Sequence, residues 1–176
     1  MPVKIGIVTI SDRASRGEYE DLSGPAIRAF LDRVLVGAWE AVPRVIPDGR
    51  EAVRAVLLEL CDEIGAGLVL VTGGTGPAPR DQTPEGIGDV ADRELPGFGE
   101  LMRRISLETV PTAILSRQGA ALRGSSLIVS LPGKPAAIEV CLTAVMPAIP
   151  YCLELSGAGR LETDPTQVAA FRPKQS

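Results

Sequence analysis

The chain has 176 residues, of which 45% are hydrophobic and 23% charged, with a formal net charge of −4 at pH 7. This length and composition indicate one soluble domain with its own apolar core, whereas the acidic balance and 3% aromatic residues disfavour nucleic-acid binding. The absence of histidine excludes catalytic triads that need an imidazole and zinc sites built on histidine ligands.

The cysteines, the amino terminus and the apolar runs together indicate a cytoplasmic protein. Cys61, Cys141 and Cys152 are odd in number and form no C-x-x-C pair, which is typical of a reducing compartment. The chain begins directly with a strand pattern rather than a signal peptide. No apolar run approaches the ~20 residues of a membrane helix. We therefore expect no membrane contact, no nucleic-acid partner and structural, buried cysteines.

Strands and helices alternate in the first half of the chain. Residues 5–10 and 40–46 are rich in β-branched residues and predict strands, and the apolar run at residues 68–71 predicts a buried strand. One helix is predicted to begin at Ser23-Gly24-Pro25, with the serine as its cap, and another to occupy residues 50–64. This β-α-β-α-β order predicts a parallel sheet with helices on both faces.

The second half of the chain continues this pattern less regularly. The predicted elements are a helix starting at Thr83-Pro84-Glu85, a helix at residues 97–107, a short strand at 112–115, a strand at 127–131 and a helix after Pro135. The polar, proline-bearing residues 156–176 predict an irregular C-terminal strap. The whole pattern predicts a single α/β domain, residues 1–176, with a mostly parallel central sheet.

Polar loops follow several of the predicted strands. The carboxyl ends of parallel strands share one edge of a sheet, where open α/β folds bind ligands, so we expect these loops to converge on one cleft. The loops comprise residues 11–23, 47–49, 73–81 and 132–135.

The most informative loop reads Thr72-Gly73-Gly74-Thr75-Gly76-Pro77-Ala78-Pro79-Arg80-Asp81. Its closely spaced glycines let the backbone approach a ligand, and their amides are suited to cradle a phosphate. The loop is neither a Walker A sequence nor a dinucleotide fingerprint, which disfavours the common kinase and NAD-dependent classes. Arg80 and Asp81 add a cation and a carboxylate able to bind a metal.

Asp48 and Asp81 are the candidate metal-binding carboxylates. Both positions are also typical of turns and helix caps, and the pattern alone leaves that alternative open. A carboxylate beside a phosphate needs a cation to offset the repulsion, and Mg²⁺ bound by one or two carboxylates plus nucleotide phosphates supplies it. The two aspartates therefore indicate metal-assisted phosphoryl or nucleotidyl transfer.

Further candidate ligand contacts lie at other strand ends. Lys134, in the turn Pro132-Gly133-Lys134-Pro135, could bind a phosphate or lie in solvent. Arg117, which follows Ser116, could clamp a phosphate with its bidentate fork or pair with a surface carboxylate. Ser11 and Asp12 end the first strand and could line the cleft or form an Asx turn.

Several motifs, in order along nearly the whole chain, resemble the bacterial Mog-type molybdopterin adenylyltransferases, which are related to the G domains of gephyrin and plant Cnx proteins. The matching stretches are Val8-Thr9-Ile10-Ser11-Asp12, Thr72-Gly73-Gly74-Thr75-Gly76-Pro77, Arg80-Asp81-x-Thr83-Pro84, Glu94-Leu95-Pro96-Gly97-Phe98-Gly99, Val110-Pro111-Thr112-Ala113-Ile114-Leu115-Ser116-Arg117-Gln118, Leu131-Pro132-Gly133-x-Pro135, Pro150-Tyr151-Cys152 and Ala169-Ala170-Phe171-Arg172-Pro173-Lys174.

This resemblance implies a three-layer α/β/α molybdopterin-binding fold, usually a homotrimer. It implies that the terminal phosphate of molybdopterin attacks the α-phosphate of ATP, with Mg²⁺ required, and that a molybdate-inserting protein receives the product. The family's essential aspartates match Asp48 and Asp81, and its Gly-Gly-Thr-Gly and Leu-Pro-Gly-x-Pro loops border the nucleotide and pterin pocket. The nucleophile is already an oxyanion, so this chemistry needs no histidine.

Two alternatives stay open at this point. A protein of the same fold could carry molybdopterin without using ATP, and the related Mob-type proteins make this distinction from the enzymes less clear. It could also serve as a structural assembly partner, as in gephyrin. The Thr83-Pro84 pair, the Phe171-Arg172-Pro173-Lys174 tail and the presence of both aspartates favour the catalytic Mog type. Lys134 stands where relatives often carry an amide side chain, and a lysine suits an anionic ligand.

Overall fold

A six-stranded, mostly parallel sheet forms the centre of the structure, a computed structural model that describes residues 1–174. The strands of both sheets are β1 (Val3–Ile10), β2 (Leu35–Val36), β3 (Trp39–Ile46), β4 (Leu68–Thr72), β5 (Arg93–Glu94), β6 (Ala120–Arg123), β7 (Ser126–Leu131) and β8 (Glu162–Thr163). Strands β2 and β8 form a separate two-stranded sheet. The order in the six-stranded sheet is β3-β1-β4-β7-β6-β5. Strands β3, β1, β4 and β7 pair in parallel, β6 is antiparallel to β7, and β5 is antiparallel to β6.

Helices cover both faces of this sheet. They are α1 (Asp12–Ser15), α2 (Ser23–Val34), α3 (Arg50–Leu58), α4 (Thr83–Gly88), α5 (Pro96–Leu107), α6 (Pro135–Val145) and α7 (Ile149–Ser156). One apolar core lies under α2, α5, α6 and α7, and the other under α3 and α4. Strand β1 serves both cores, because Ile5 and Ile7 point to the first and Val8 and Ile10 to the second. The predicted three-layer α/β/α fold is confirmed.

Two local predictions are wrong. Residues 112–115 belong to a 3-10 helix, Pro111–Leu115, rather than a strand. Their β-branched residues favour a strand, but no neighbouring strand pairs with them in the described chain, and Pro111 at the start suits the first turn of a helix. Ser23 does not cap α2; the carboxylate of Asp21 does so, since it accepts the N–H groups of Ser23 at 3.0 Å and Gly24 at 3.1 Å.

Several short elements were not predicted. The loop at residues 11–23 contains α1, and the helix predicted at residues 50–64 ends in a π-helical turn, Glu59–Glu63. Strand β6 forms a tight hairpin with β7 around Gly124, which has a φ of +53°. Helix α7 was missed because its apolar residues follow α6 after a short break and continue the same buried layer.

The C-terminal segment crosses back over the first half of the chain. Strand β8 pairs with β2 in an antiparallel manner, and Arg172 donates to Glu154 and to the backbone oxygen of Leu161. Gln175 and Ser176, the last two residues of the predicted strap, lie outside the described residues. In residues 1–174 no single helix is long and apolar enough to cross a membrane; by length and composition alone, the pair α6 and α7, bent by 63°, would qualify together.

Candidate active site

A polar cavity of about 620 Å³ lies at the carboxyl ends of β1, β3 and β4. Three loops build it, one after each of these strands, and they bring together side chains that are far apart in sequence. The lining residues are Ile10, Ser11, Asp12, Arg13, Arg16, Asp48, Gly74, Arg80 and Asp81. The structure thus brings together three carboxylates and three guanidinium groups at the edge of the sheet where the sequence predicted a cleft.

A second cavity of about 230 Å³ adjoins the first, because Ile10 and Ser11 line both. The turn at residues 132–135 enters this smaller cavity with Gly133, Lys134 and Pro135. A Cβ atom placed on Gly133 would lie 3.8 Å from the Cα of Gly73, so the two glycine-bearing loops are in contact. Lys134 is exposed and lines the smaller cavity, where it is able to contact an anion.

The conformation at Gly73 and Gly74 is one that residues with a Cβ rarely adopt. Their φ angles are +99° and +64°. A Cβ on Gly73 would lie 2.4 Å from the carbonyl oxygen of Ile10, and one on Gly74 would lie 2.4 Å from the hydroxyl of Thr83. Thr83 fixes this turn, since its hydroxyl donates to the oxygen of Gly73 at 2.7 Å and its N–H to that of Gly74 at 3.1 Å.

Asp48 and Asp12 bind each other's backbone. The N–H of Asp12 donates to Oδ2 of Asp48, and the N–H of Asp48 donates to Oδ1 of Asp12, each at 3.0 Å. This reciprocal pair joins the loops after β1 and β3. The helix-cap alternative for Asp48 is wrong, because the N-cap residue of α3 is Gly49, which has no side chain to cap the helix. Asp12 likewise forms this pair instead of an Asx turn, while Ser11 caps α1 by accepting the N–H of Ala14 at 3.2 Å.

Asp81 lines the same cavity as this pair, from the loop after β4. Its Oδ2 accepts the N–H of Ala78 at 3.1 Å, so the turn interpretation holds for one of its oxygens. Within residues 1–174 the second carboxylate oxygen of Asp12, Asp48 and Asp81 accepts no hydrogen bond, which leaves one oxygen of each available to a ligand.

These oxygens fit Mg²⁺. Within residues 1–174 no group of three or more His, Cys, Asp or Glu side chains is arranged to hold a metal by protein ligands alone. Mg²⁺ does not require one, since it is commonly bound through one or two carboxylates together with substrate phosphates and water. Two carboxylates on separate loops of one polar cavity supply that donor set.

Arg13 on α1 and Arg16 directly after it also line the large cavity together with Arg80, and neither was predicted as a site residue. Helix α1 is only four residues long and lies in a segment that we expected to be a loop. The arginines in the polar stretch directly after the first strand were the available signal. With Arg80, they place positive charge next to the carboxylates.

Thr72 and Thr75 are buried and stabilise the loops rather than projecting into the large cavity. The hydroxyl of Thr72 donates to the backbone oxygen of Pro132 at 2.7 Å, which ties the end of β4 to the turn after β7. The backbone oxygen of Thr75 accepts the N–H of Arg117 at 2.8 Å. These two hydrogen bonds therefore connect the glycine loop and the end of β4 to the turn at residues 132–135 and to Arg117.

Ser116 and Arg117 do not line the large cavity. Arg117 pairs with Glu85 and donates to the backbone oxygens of Gly76, at 2.9 Å, and Asp81. Arg117 therefore pairs with a surface carboxylate, as the second alternative predicted. Its guanidinium also stabilises the glycine loop through the backbone oxygens of Gly76 and Asp81. The hydroxyl of Ser116 donates to Oε1 of Gln118 at 2.6 Å, and the backbone oxygen of Ser116 lies 3.4 Å from the Arg103 guanidinium.

The pairing of Glu85 with Arg117 predicts a contribution to acid sensitivity. The hydrogen bond from Arg117 holds the pKa of Glu85 below its ordinary value of 4.5. The pair therefore stabilises the fold above that value, and its contribution is lost as the pH falls through the lowered folded-state pKa. Between about pH 5 and pH 3, the urea midpoint of both proteins is expected to fall. The fall is expected to be about 0.1–0.3 M smaller for Glu85→Gln than for the unmodified protein. Equal losses in the two proteins would contradict this.

Comparison with known proteins identifies the family of the chain. Residues 6–151 match the protein family described as "Probable molybdopterin binding domain". A molybdopterin adenylyltransferase from Helicobacter pylori is 51% identical over 173 residues, which cover 98% of each chain.

Solved structures agree with this assignment. The molybdopterin biosynthesis enzyme MoaB from Thermus thermophilus has a TM-score of 0.81 and 40% identity, over 91% of this chain and 99% of that one. The Mog protein from Mycobacterium ulcerans has a TM-score of 0.81 and 31% identity, over 90% and 99%. Since these matches span nearly its whole length, the chain belongs to the family of molybdopterin-binding domains that includes the molybdopterin adenylyltransferases.

Proposed function

We propose that this protein is a Mog-type molybdopterin adenylyltransferase, which transfers AMP from ATP to the terminal phosphate of molybdopterin and releases pyrophosphate in molybdenum cofactor biosynthesis. The 51% identity to a relative of that name supports this activity. The observation that carries the proposal is that Asp48 and Asp81, from separate loops, line one polar cavity together with Arg80.

The proposed reaction needs positioning more than proton transfer. An oxygen of the terminal phosphate of molybdopterin bonds to the α-phosphorus of ATP, and the bond from that phosphorus to the oxygen bridging to the β-phosphate breaks. The electron pair leaves with pyrophosphate, and the attacking oxygen is already anionic at neutral pH. The protein must therefore hold two polyanions close together.

The cavity has groups for each part of this task. Arg13 and Arg80 offset phosphate charge and stabilise the departing pyrophosphate, whereas Arg16 lies beside them paired with Glu18. The backbone of Gly73 and Gly74 allows close approach of a phosphate. Ser11, Gly133 and Lys134 line the adjoining cavity, which gives the second substrate a place next to the first.

Asp48 and Asp81 would hold Mg²⁺, with Asp12 beside them. Each uses one carboxylate oxygen for a backbone N–H, which fixes the direction of the other oxygen. When bound, Mg²⁺ neutralises phosphate charge and polarises the phosphoryl group. Without a cation, these carboxylates would repel the nucleotide.

The family's pattern extends the proposal to assembly and location. We propose a homotrimer in the cytoplasm that passes adenylylated molybdopterin to a molybdate-inserting protein, with residues 1–176 as one catalytic domain and residues 156–176 as its strap. Exposed apolar side chains at the end of α5 and in the following 3-10 helix, including Leu107, Ile114 and Leu115, supply a surface suited to association.

A direct assay tests the proposed activity. Purified protein, molybdopterin, ATP and Mg²⁺ are expected to yield pyrophosphate and adenylylated molybdopterin in equal amounts, and chelation of the metal is expected to abolish both. Pyrophosphate is measured with a coupled enzyme assay and the pterin product by mass spectrometry. Tight molybdopterin binding without either product would contradict the transferase and support the non-catalytic carrier.

A further inference from the structure

Gln82 connects the two loops that carry the candidate aspartates. Its side-chain oxygen, Oε1, accepts the backbone N–H of Arg50 at 3.0 Å. Gln82 directly follows Asp81, and Arg50 lies two residues after Asp48. Within residues 1–174 this is the one hydrogen bond between the loop at residues 73–82 and the loop at residues 47–50.

Other contacts hold each aspartate within its own part of the site. Asp48 is fixed to Asp12, and the backbone of Asp81 is held by Arg117. Neither contact determines how far the Asp81 loop lies from the Asp48 loop. That separation decides whether two carboxylates are able to bind the same ion.

Two other contacts join the same regions, but both lie on the helices rather than on the loops that carry the aspartates. Gly86 of α4 packs against Val53 of α3. The guanidinium of Arg50 pairs with Asp89 of α4, but the Arg50 side chain is long and 58% exposed. Such a pair tolerates movement of the backbone. The bond from Gln82 ends on a backbone N–H in the first turn of α3, where no intrahelical acceptor exists, so it fixes the backbone itself.

We propose that Gln82 is a positioning residue, which holds the Asp81 loop against the Asp48 loop so that both carboxylates bind one Mg²⁺ together with ATP. The inference rests on the proposed function. Gln82 itself is exposed, so its substitution leaves no cavity in either core.

Isothermal titration of ATP with and without Mg²⁺, in the absence of molybdopterin, tests this without any turnover. Gln82→Met keeps a similar length but replaces the amide oxygen with a thioether sulfur, a much weaker acceptor, whereas Gln82→Glu keeps an oxygen that accepts the N–H of Arg50. Gln167→Met is the matched control, because Gln167 is also exposed and lies in the C-terminal segment.

The loss of one hydrogen bond is expected to weaken Mg²⁺-dependent ATP binding of Gln82→Met by about 3- to 10-fold, with ATP binding without Mg²⁺ changed less than about twofold. Gln167→Met is expected to bind ATP within about twofold of the unmodified protein. The added charge of Gln82→Glu repels ATP with and without Mg²⁺, but the factor by which Mg²⁺ raises its ATP affinity is expected to stay within about twofold of normal. All variants are expected to melt within about 2 °C of the unmodified protein.

Three results would overturn the inference in distinguishable ways. If Gln82→Met binds Mg²⁺ and ATP as the unmodified protein does, the bond does not position the aspartates, and the proposed function stands. If Mg²⁺ raises the ATP affinity of Gln82→Glu no more than that of Gln82→Met, the acceptor is not the cause. If the unmodified protein itself shows no Mg²⁺-dependent ATP binding, the proposed function fails and the inference fails with it.

Discussion

Replacing Asp81 with asparagine is expected to lower the rate of adenylyl transfer by about 10²- to 10³-fold, the size found when one preorganised electrostatic partner is removed. Asparagine keeps an oxygen that accepts the N–H of Ala78, so the turn is preserved while the charge is lost. Asp48→Asn is expected to act similarly, since its amide oxygen still accepts the N–H of Asp12. Initial rates of pyrophosphate release at saturating ATP measure both effects.

A charge-matched control separates metal binding from a general change in charge. Asp32→Asn also removes one negative charge, but Asp32 lies on α2, where it pairs with Arg28 at 2.8 Å. Its activity is expected to stay within about twofold of normal, as is usual for an exposed ion pair. An Asp81→Asn protein that keeps more than about a tenth of the normal rate would contradict the metal-site role.

The double variant gives a second test of the same idea. If Asp48 and Asp81 bind one ion, the loss of either removes most of its effect, so Asp48→Asn/Asp81→Asn is expected to be little slower than the slower single variant. Multiplication of the two losses would instead indicate that the aspartates act independently.

The layered fold follows from sequence patterns because the strands alternate with helical patterns and the strand at residues 68–71 is a continuous apolar run. Residues Leu68–Thr72 are buried along their whole length, which only a strand covered on both faces allows. Short edge elements lack such a signal. Strand β5 is two exposed residues, and it exists because Glu94 and Arg93 lie opposite β6 in the folded chain, a long-range pairing that local propensity does not encode.

The candidate site also has features that the local sequence predicts and features that depend on long-range contacts. The glycine loop and the two aspartates are recognisable because their residue types and positions after strands carry meaning by themselves. Hydrogen bonds between different loops are not recognisable from the sequence. Nothing in the sequence near Gln82 indicates that its amide reaches Arg50, and Arg117 has two chemically sensible partners until the fold places Glu85 beside it.

Gly73→Ala tests whether the glycine loop has the close packing described above. The φ of +99° at Gly73 strains any residue with a Cβ, and the new methyl group would lie 2.4 Å from the backbone oxygen of Ile10. A backbone oxygen in β1 has no rotamer to change, so the loop itself must move. We expect a loss of about 2–4 kcal/mol in the free energy of unfolding, and a melting temperature lower by about 5–15 °C.

Gly88→Ala is the matched control, because it adds the same methyl group at the end of α4. Gly88 does not have a positive φ, and no atom would lie within 4 Å of its new Cβ. Alanine at such a position stabilises a helix slightly, so its melting temperature is expected to stay level or rise by about 1–3 °C. Thermal denaturation followed by circular dichroism compares the two. If Gly73→Ala and Gly88→Ala had the same melting temperature, the loop would relax without a cost in stability. The close approach of Gly73 to β1 would then not constrain the phosphate-binding turn.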